Sequence, residues 1–163
     1  MSDIRALREV EGIRVKRVGD AEDTLRRTQQ AQKKAEQALE EARLALADYQ
    51  RKLPALIEQL YADCIGHLVS REFVQDKVYD ETRLRAKVED YKAQVTEAQN
   101  VLEKAIAAVQ EALIQLNRER VKLDALRELI KVERKHIAIA VSRAEAKALD
   151  DLAGSKFVRA MLH

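Results

Sequence analysis

The stretch "LYADCIGHLVSREF", residues 60–73, decides the fold. On either side of it, apolar residues recur at helical spacing over dozens of positions. Here the recurrence breaks, around Gly66, the one glycine in the middle of the chain. Glycine readily takes the left-handed conformation that ends a helix. Ser70 is suited to cap the next helix, and Glu72 then falls in its first turn, where a negative charge is favourable. So few residues separate the two runs that an antiparallel pair of neighbouring helices is the expected outcome.

Working outward, the first run steps by three and four through Val18, Ala21, Leu25, Thr28, Gln32, Ala35, Leu39, Ala42, Leu46, Tyr49, Leu53, Leu56 and Leu60. The second steps through Leu84, Val88, Tyr91, Val95, Ala98, Leu102, Ala105, Val109, Ala112, Leu116, Glu119, Leu123, Leu126 and Ile130. A seven-residue repeat held this long keeps one stripe of each helix facing a partner helix. With the turn centred between Leu68 and Val69, facing residues have numbers that sum to about 137. Leu39 then meets Ala98, Ala35 meets Leu102, Leu25 meets Ala112 and Ala21 meets Leu116. Large faces small, which fills a narrow seam without voids.

The expected fold is therefore all-α: two long helices in an antiparallel coiled-coil hairpin, the second longer than the first, forming a single domain. The boundaries read as helix 1 over about 3–65, a bend over about 66–70 and helix 2 over about 71–153. Pro54 predicts a kink near Leu53 or a helix restarted there. Beyond about Glu133 the second helix outruns the first and projects alone. At ~1.5 Å per residue the paired part is roughly 90 Å long. Gly154 is read as a stop, with a frayed tail over 154–163.

Composition agrees. Charged residues make up 36% of the 163 positions and aromatics only 4%, too few bulky groups for a globular core. The net charge of +2 does not point to a polyanion as partner, and nucleic acid is not expected. No uncharged apolar run reaches the roughly 18 residues a membrane span needs. The opening "MSDIRALREVEG" lacks a signal-peptide core. Cys64 is alone, which is compatible with a reducing cytoplasm. No phosphate loop, nucleophile elbow or paired-cysteine site is present, and His67, His136 and His163 lie far apart. No catalytic residue, metal site or cofactor is expected.

Two features exceed this plain pattern. Near the termini, charge enters the seam: Glu11 and Arg14 continue the first repeat backwards, and Glu119 interrupts the second. Arg5, Arg8, Lys16, Arg17, Arg26 and Arg27 lie nearby, with Arg118, Arg120 and Lys122 opposite and Asp20, Glu22 and Asp23 diluting them. This end reads as a loosened coil end or as a binding surface. At the bend, Ile65, Leu68, Val69, Phe73, Val74, Val78 and Tyr79 cluster. Some should close the tip, and those left over would form an exposed apolar patch.

Three pieces carry a family resemblance: "ALREVEGIRVKRVGDAEDTLRRTQ" at 6–29, "DYQRKLPALIEQLYADCIGHLVSREF" at 48–73 and "TRLRAKVEDY" at 82–91. They resemble the type III secretion stalk proteins, the YscO/FliJ-like family. That family opens with a Leu/Val–Ile-Arg–Arg–Ala-Glu rhythm. In its middle a Tyr precedes an "LY" pair, a Gly-containing bend and "LR" early in the second helix. The resemblance implies a non-enzymatic stalk in the bacterial cytoplasm, at the cytoplasmic side of the secretion apparatus. Its implied partners are the hexameric secretion ATPase, whose activity it promotes, the cytoplasmic ring of the export gate, and secretion chaperones. On the shaft analogy, Arg14, Arg17, Arg118 and Lys122 are assigned to the ATPase side, and Leu68, Val69, Phe73 and Val74 to the export-gate side. In isolation a self-sufficient hairpin should be a monomer. The competing reading is a generic coiled-coil tether or dimerisation module with no ATPase partner.

Overall fold

The computed structural model describes residues 2–162. Helix α1 runs from Ser2 to Tyr61, a short 3-10 turn follows at Ala62–Cys64, and helix α2 runs from Arg71 to Met161. The fold is an all-α hairpin, and its second helix, of 91 residues, is longer than the first, of 60.

The reversal is built as its residue types dictate. Ile65 is extended and its N–H donates to the Ala62 carbonyl at 3.4 Å. Gly66 follows with φ of 76°, in the left-handed region where a Cβ is strained. The Ser70 hydroxyl then accepts the Phe73 N–H at 3.1 Å, the side-chain cap of α2. The Ser70 carbonyl accepts the Val74 N–H at 3.2 Å, closing the first helical turn.

Of the two outcomes expected at Pro54, the restarted helix is not found, because α1 runs through it. Pro54 and Gln50 are both exposed, so the carbonyl that loses its partner one turn back can be solvated. α2 does not stop at Gly154 but continues to Met161. Gly154 has no positive φ, so it forms no left-handed cap. A glycine inside a helix costs only ~1 kcal/mol against alanine, and alanines at 144, 146, 148, 153 and 160 favour the helix around it. Of the expected tail, His163 lies outside the described residues.

The chain packs as two compact units. One joins the described residues up to Asp23 with those from Ile114 onward. In it Ala21, Leu116, Leu123 and Ile130 are buried, around Glu119, the one buried charged residue among those described. The other unit is Thr24–Leu113. Its buried side chains are Ala35, Leu39 and Ala112. There the Tyr49 and Tyr91 rings stack with centroids 4.8 Å apart, and the Tyr49 hydroxyl donates to the Leu84 carbonyl at 2.6 Å. Every seam position from Val18 to Leu60 and from Leu84 to Ile130 is buried or half-buried. Sealing a Leu side chain in this way stabilises by about 2 kcal/mol. Of the cross-helix pairs, Arg14 with Glu119 falls four below the expected number sum of about 137, one seam layer, and Tyr49 with Tyr91 falls three above it. After Ile137 every described residue of α2 is exposed.

Candidate partner-binding surfaces

In the unit that holds the first turns of α1, the heptad places Arg14 one layer away from Glu119. The arginine is long enough to cross that layer. Its Nη1 lies 3.8 Å from Glu119 Oε2, with the two side chains 27% and 9% exposed. At that distance the contact is an ion pair without a hydrogen bond, and neither atom has another hydrogen-bond partner. The other carboxylate oxygen accepts the Gln115 amide at 3.1 Å and lies 3.9 Å from Lys122 Nζ. On the flank of the seam, Arg120 pairs with Glu22 at 3.5 Å.

The structure thus divides the residues assigned to the ATPase side. Arg14 is drawn into the seam by Glu119, and Lys122 is partly engaged by the same carboxylate. Arg17 and Arg118 are exposed and have no carboxylate within ion-pair distance among the described residues. Arg118 and Lys122 share a shallow, open hollow on α2 with Ile114, Asn117 and Val121. Ile114 and Val121 sit on the outer face of the helix, where a two-stranded coil is ordinarily polar, and both are exposed. The seven-residue spacing between them was visible in the sequence but lies outside the seam repeat.

At the bend, none of the clustered apolar residues is buried. Leu68 is fully exposed, Ile65 and Tyr79 are about two thirds exposed or more, and Val69, Phe73 and Val74 each remain more than one third open. The tip is closed only in part: Val69, Phe73 and Val74 are each nearly two thirds covered, and the others are left open. α1 ends at Tyr61, so the first turns of α2 have too little opposite them to be fully covered. The tip is also held by polar contacts. The Tyr61 hydroxyl donates to Glu81 at 2.6 Å, and Glu81 also receives Arg85 at 2.9 Å. The hydrogen bond from Tyr61, then that from Arg85, holds the Glu81 carboxyl below the usual range, while the bond to Glu81 raises the Tyr61 phenol. Lys77 lies over the Phe73 ring at 5.1 Å and Arg83 over the Tyr79 ring at 5.9 Å. The exposed rings are thus partly covered by cations of their own helix.

Among the described residues no group of His, Cys, Asp and Glu is placed to hold a metal ion. Nor is any helix among them long and apolar enough to cross a membrane.

Residues 7–154 match the family model of the type III secretion protein YscO. The chain belongs to that family. The match takes in residues of both units and the whole bend. No curated protein matches the chain, and no solved structure does. As a YscO-family chain, it is a component of a type III secretion system.

Proposed function

We propose that this YscO-family hairpin is the stalk that couples the hexameric export ATPase to the cytoplasmic ring of the export gate. It promotes ATPase activity and protein secretion, works in the cytoplasm and performs no catalysis of its own. Secretion chaperones are a further class of partner, and the free chain is a monomer. The observation that carries this reading is the chemical contrast between two surfaces on two different units. One has the exposed cations Arg17 and Arg118 beside Lys122 and the Arg14–Glu119 pair. The other has the exposed apolar side chains of Leu68, Val69, Phe73 and Val74. A protein with one partner needs one such surface. Exposed charges suit a contact with a charged partner wall, and exposed apolar groups suit a contact that dehydrates. The family membership says which machine supplies the partners.

The test uses paired variants, each checked first for helicity. Arg17→Glu with Arg118→Glu should abolish stimulation of the purified ATPase, and wild-type binding should weaken steeply with salt. Phe73→Ser with Val74→Ser should leave stimulation intact while reducing gate binding and secretion. Arg14 is a poor probe of this contact because it holds Glu119. Loss of stimulation in the bend variant, with the charge-reversed one unaffected, would invert the assignment. No stimulation by the wild-type chain would leave only the tether reading.

A further inference from the structure

We infer that the Arg14–Glu119 pair selects the partner of each helix: it admits α1 against α2, antiparallel and in one register, and rejects like against like, while the short connection between the helices makes that partner the chain's own. Apolar layers cannot make that choice. Any helix with a Leu, Val and Ala stripe at heptad spacing would fit Leu39 or Leu116, and two copies of either helix carry such a stripe. Glu119 is different. It lies between Leu116 and Leu123, which are 3% and 6% exposed, so its carboxylate sits where water does not reach it freely. A charge there must meet an opposite charge or be left uncompensated.

Within the packed part of the seam, only an antiparallel α1–α2 pairing in this register supplies that charge from across it. The stripe of α2 from Leu84 to Ile130 contains no cation, so in-register parallel pairing of α2 with a second α2 sets Glu119 against another Glu119. Parallel pairing of two α1 helices sets Arg14 against Arg14. The stripe of α1 from Val18 to Leu60 also lacks a cation, so a slip of the hairpin cannot replace Arg14. One heptad of slip moves Arg14 about 10 Å along the axis and brings Leu7 or Ala21 to its place. Lys122 remains near Glu119 in every arrangement, because it is on the same helix, and so cannot discriminate. The pair is built for choice and not for strength. The contact is 3.8 Å long, and both Arg14 Nη1 and Glu119 Oε2 forgo hydrogen bonds. A buried ion pair is a poor source of stability against apolar residues of similar volume, but it is specific.

The test reads register and partner directly, in a Cys64→Ser background under equilibrating thiol–disulfide exchange. Ala21→Cys with Leu116→Cys reports the native register. Ala21→Cys with Leu123→Cys reports a one-heptad slip, which is too distant to close in the native pairing. With the native pair of charges, only the first should close, within one chain. Adding Glu119→Leu should raise the slipped product at least about threefold and produce dimers that grow with concentration in light scattering. Arg14→Glu alone should also scatter the register, and Arg14→Glu with Glu119→Arg should restore it. Rescue by the swapped charges is a result that mere loss of packing cannot produce. A Glu119→Leu chain that keeps only the native crosslink and stays monomeric at every concentration overturns the inference, as does a swapped pair that fails to restore the register.

Discussion

In the unit around Ala21 and Leu116 the seam is closed by Leu116, Leu123 and Ile130, none more than 6% exposed, packed about one carboxylate. In the unit Thr24–Leu113 the deepest side chains are Ala35, Leu39 and Ala112, and the polar groups across the helices are phenols. The heptad is the same in both. What differs is the depth at which a polar atom sits. Tyr49 and Tyr61 keep their rings against the seam and send their hydroxyls to its edge, where a backbone carbonyl and an accessible carboxylate receive them. Glu119 is too short to reach the edge, so a counter-charge has to come to it. A narrow coil accepts polar groups by either route, but only the second constrains which helix lies opposite.

The contrast can be broken at its apolar layers first. Leu116→Ala should destabilise by about 3–4 kcal/mol and Leu39→Ala by about 2–3 kcal/mol, measured by urea unfolding followed by helicity. Equal losses would show that the two units bury their leucines alike. Next comes the charge. Arg14→Leu should cost about 2 kcal/mol, less than a fully buried pair would, because Arg14 is about a quarter exposed and Lys122 stays beside the carboxylate. No loss would mean that Glu119 is served by its own helix alone.

The smallest effect is the pH dependence of the Tyr61–Glu81 contact. The folded chain holds Glu81 below its ordinary value, so this stability is present above the usual glutamate range and is lost as pH falls through the folded value. Tyr61 is raised, so its share is present below the ordinary tyrosine range and is lost as pH rises through the folded value. The difference in melting temperature between the wild type and Tyr61→Phe should therefore be largest between about pH 5 and pH 10 and shrink on both sides. A difference constant with pH would remove the hydrogen bond from the account.

The bend, the capping serine and the seam were legible because each rests on local chemistry: a glycine, a hydroxyl and a repeat. Arg14 and Glu119 were legible singly, as charges in an apolar stripe. Their meeting was not, because strict facing sets Arg14 against Leu123, and only the length of the arginine carries it diagonally to the next layer. The exposure of the whole bend cluster was hidden for another reason. Hydrophobicity reports what would gain from cover, and only the position of α1's last turn says whether cover exists. Gly154 misled because a glycine marks a helix end only where the chain turns left-handed, and nothing in its neighbours distinguishes that case from a tolerated one. The outward pair Ile114 and Val121 shows the limit of a repeat, which describes the face that is packed and is silent about the face that is not.

At Gly66 the backbone is left-handed, yet a Cβ built there would meet nothing within 4 Å. The site objects to the handedness of an ordinary side chain and not to its bulk. Its mirror image should therefore be welcome. D-alanine at 66, introduced by chemical ligation, would find its preferred conformation already in place and would have fewer unfolded states to surrender than glycine. L-alanine at the same position would have to be forced across the chiral boundary, at a cost of roughly 1–2 kcal/mol. The reversal of this chain thus passes through one position of left-handed backbone, and the two enantiomers of one small residue should move its stability in opposite directions.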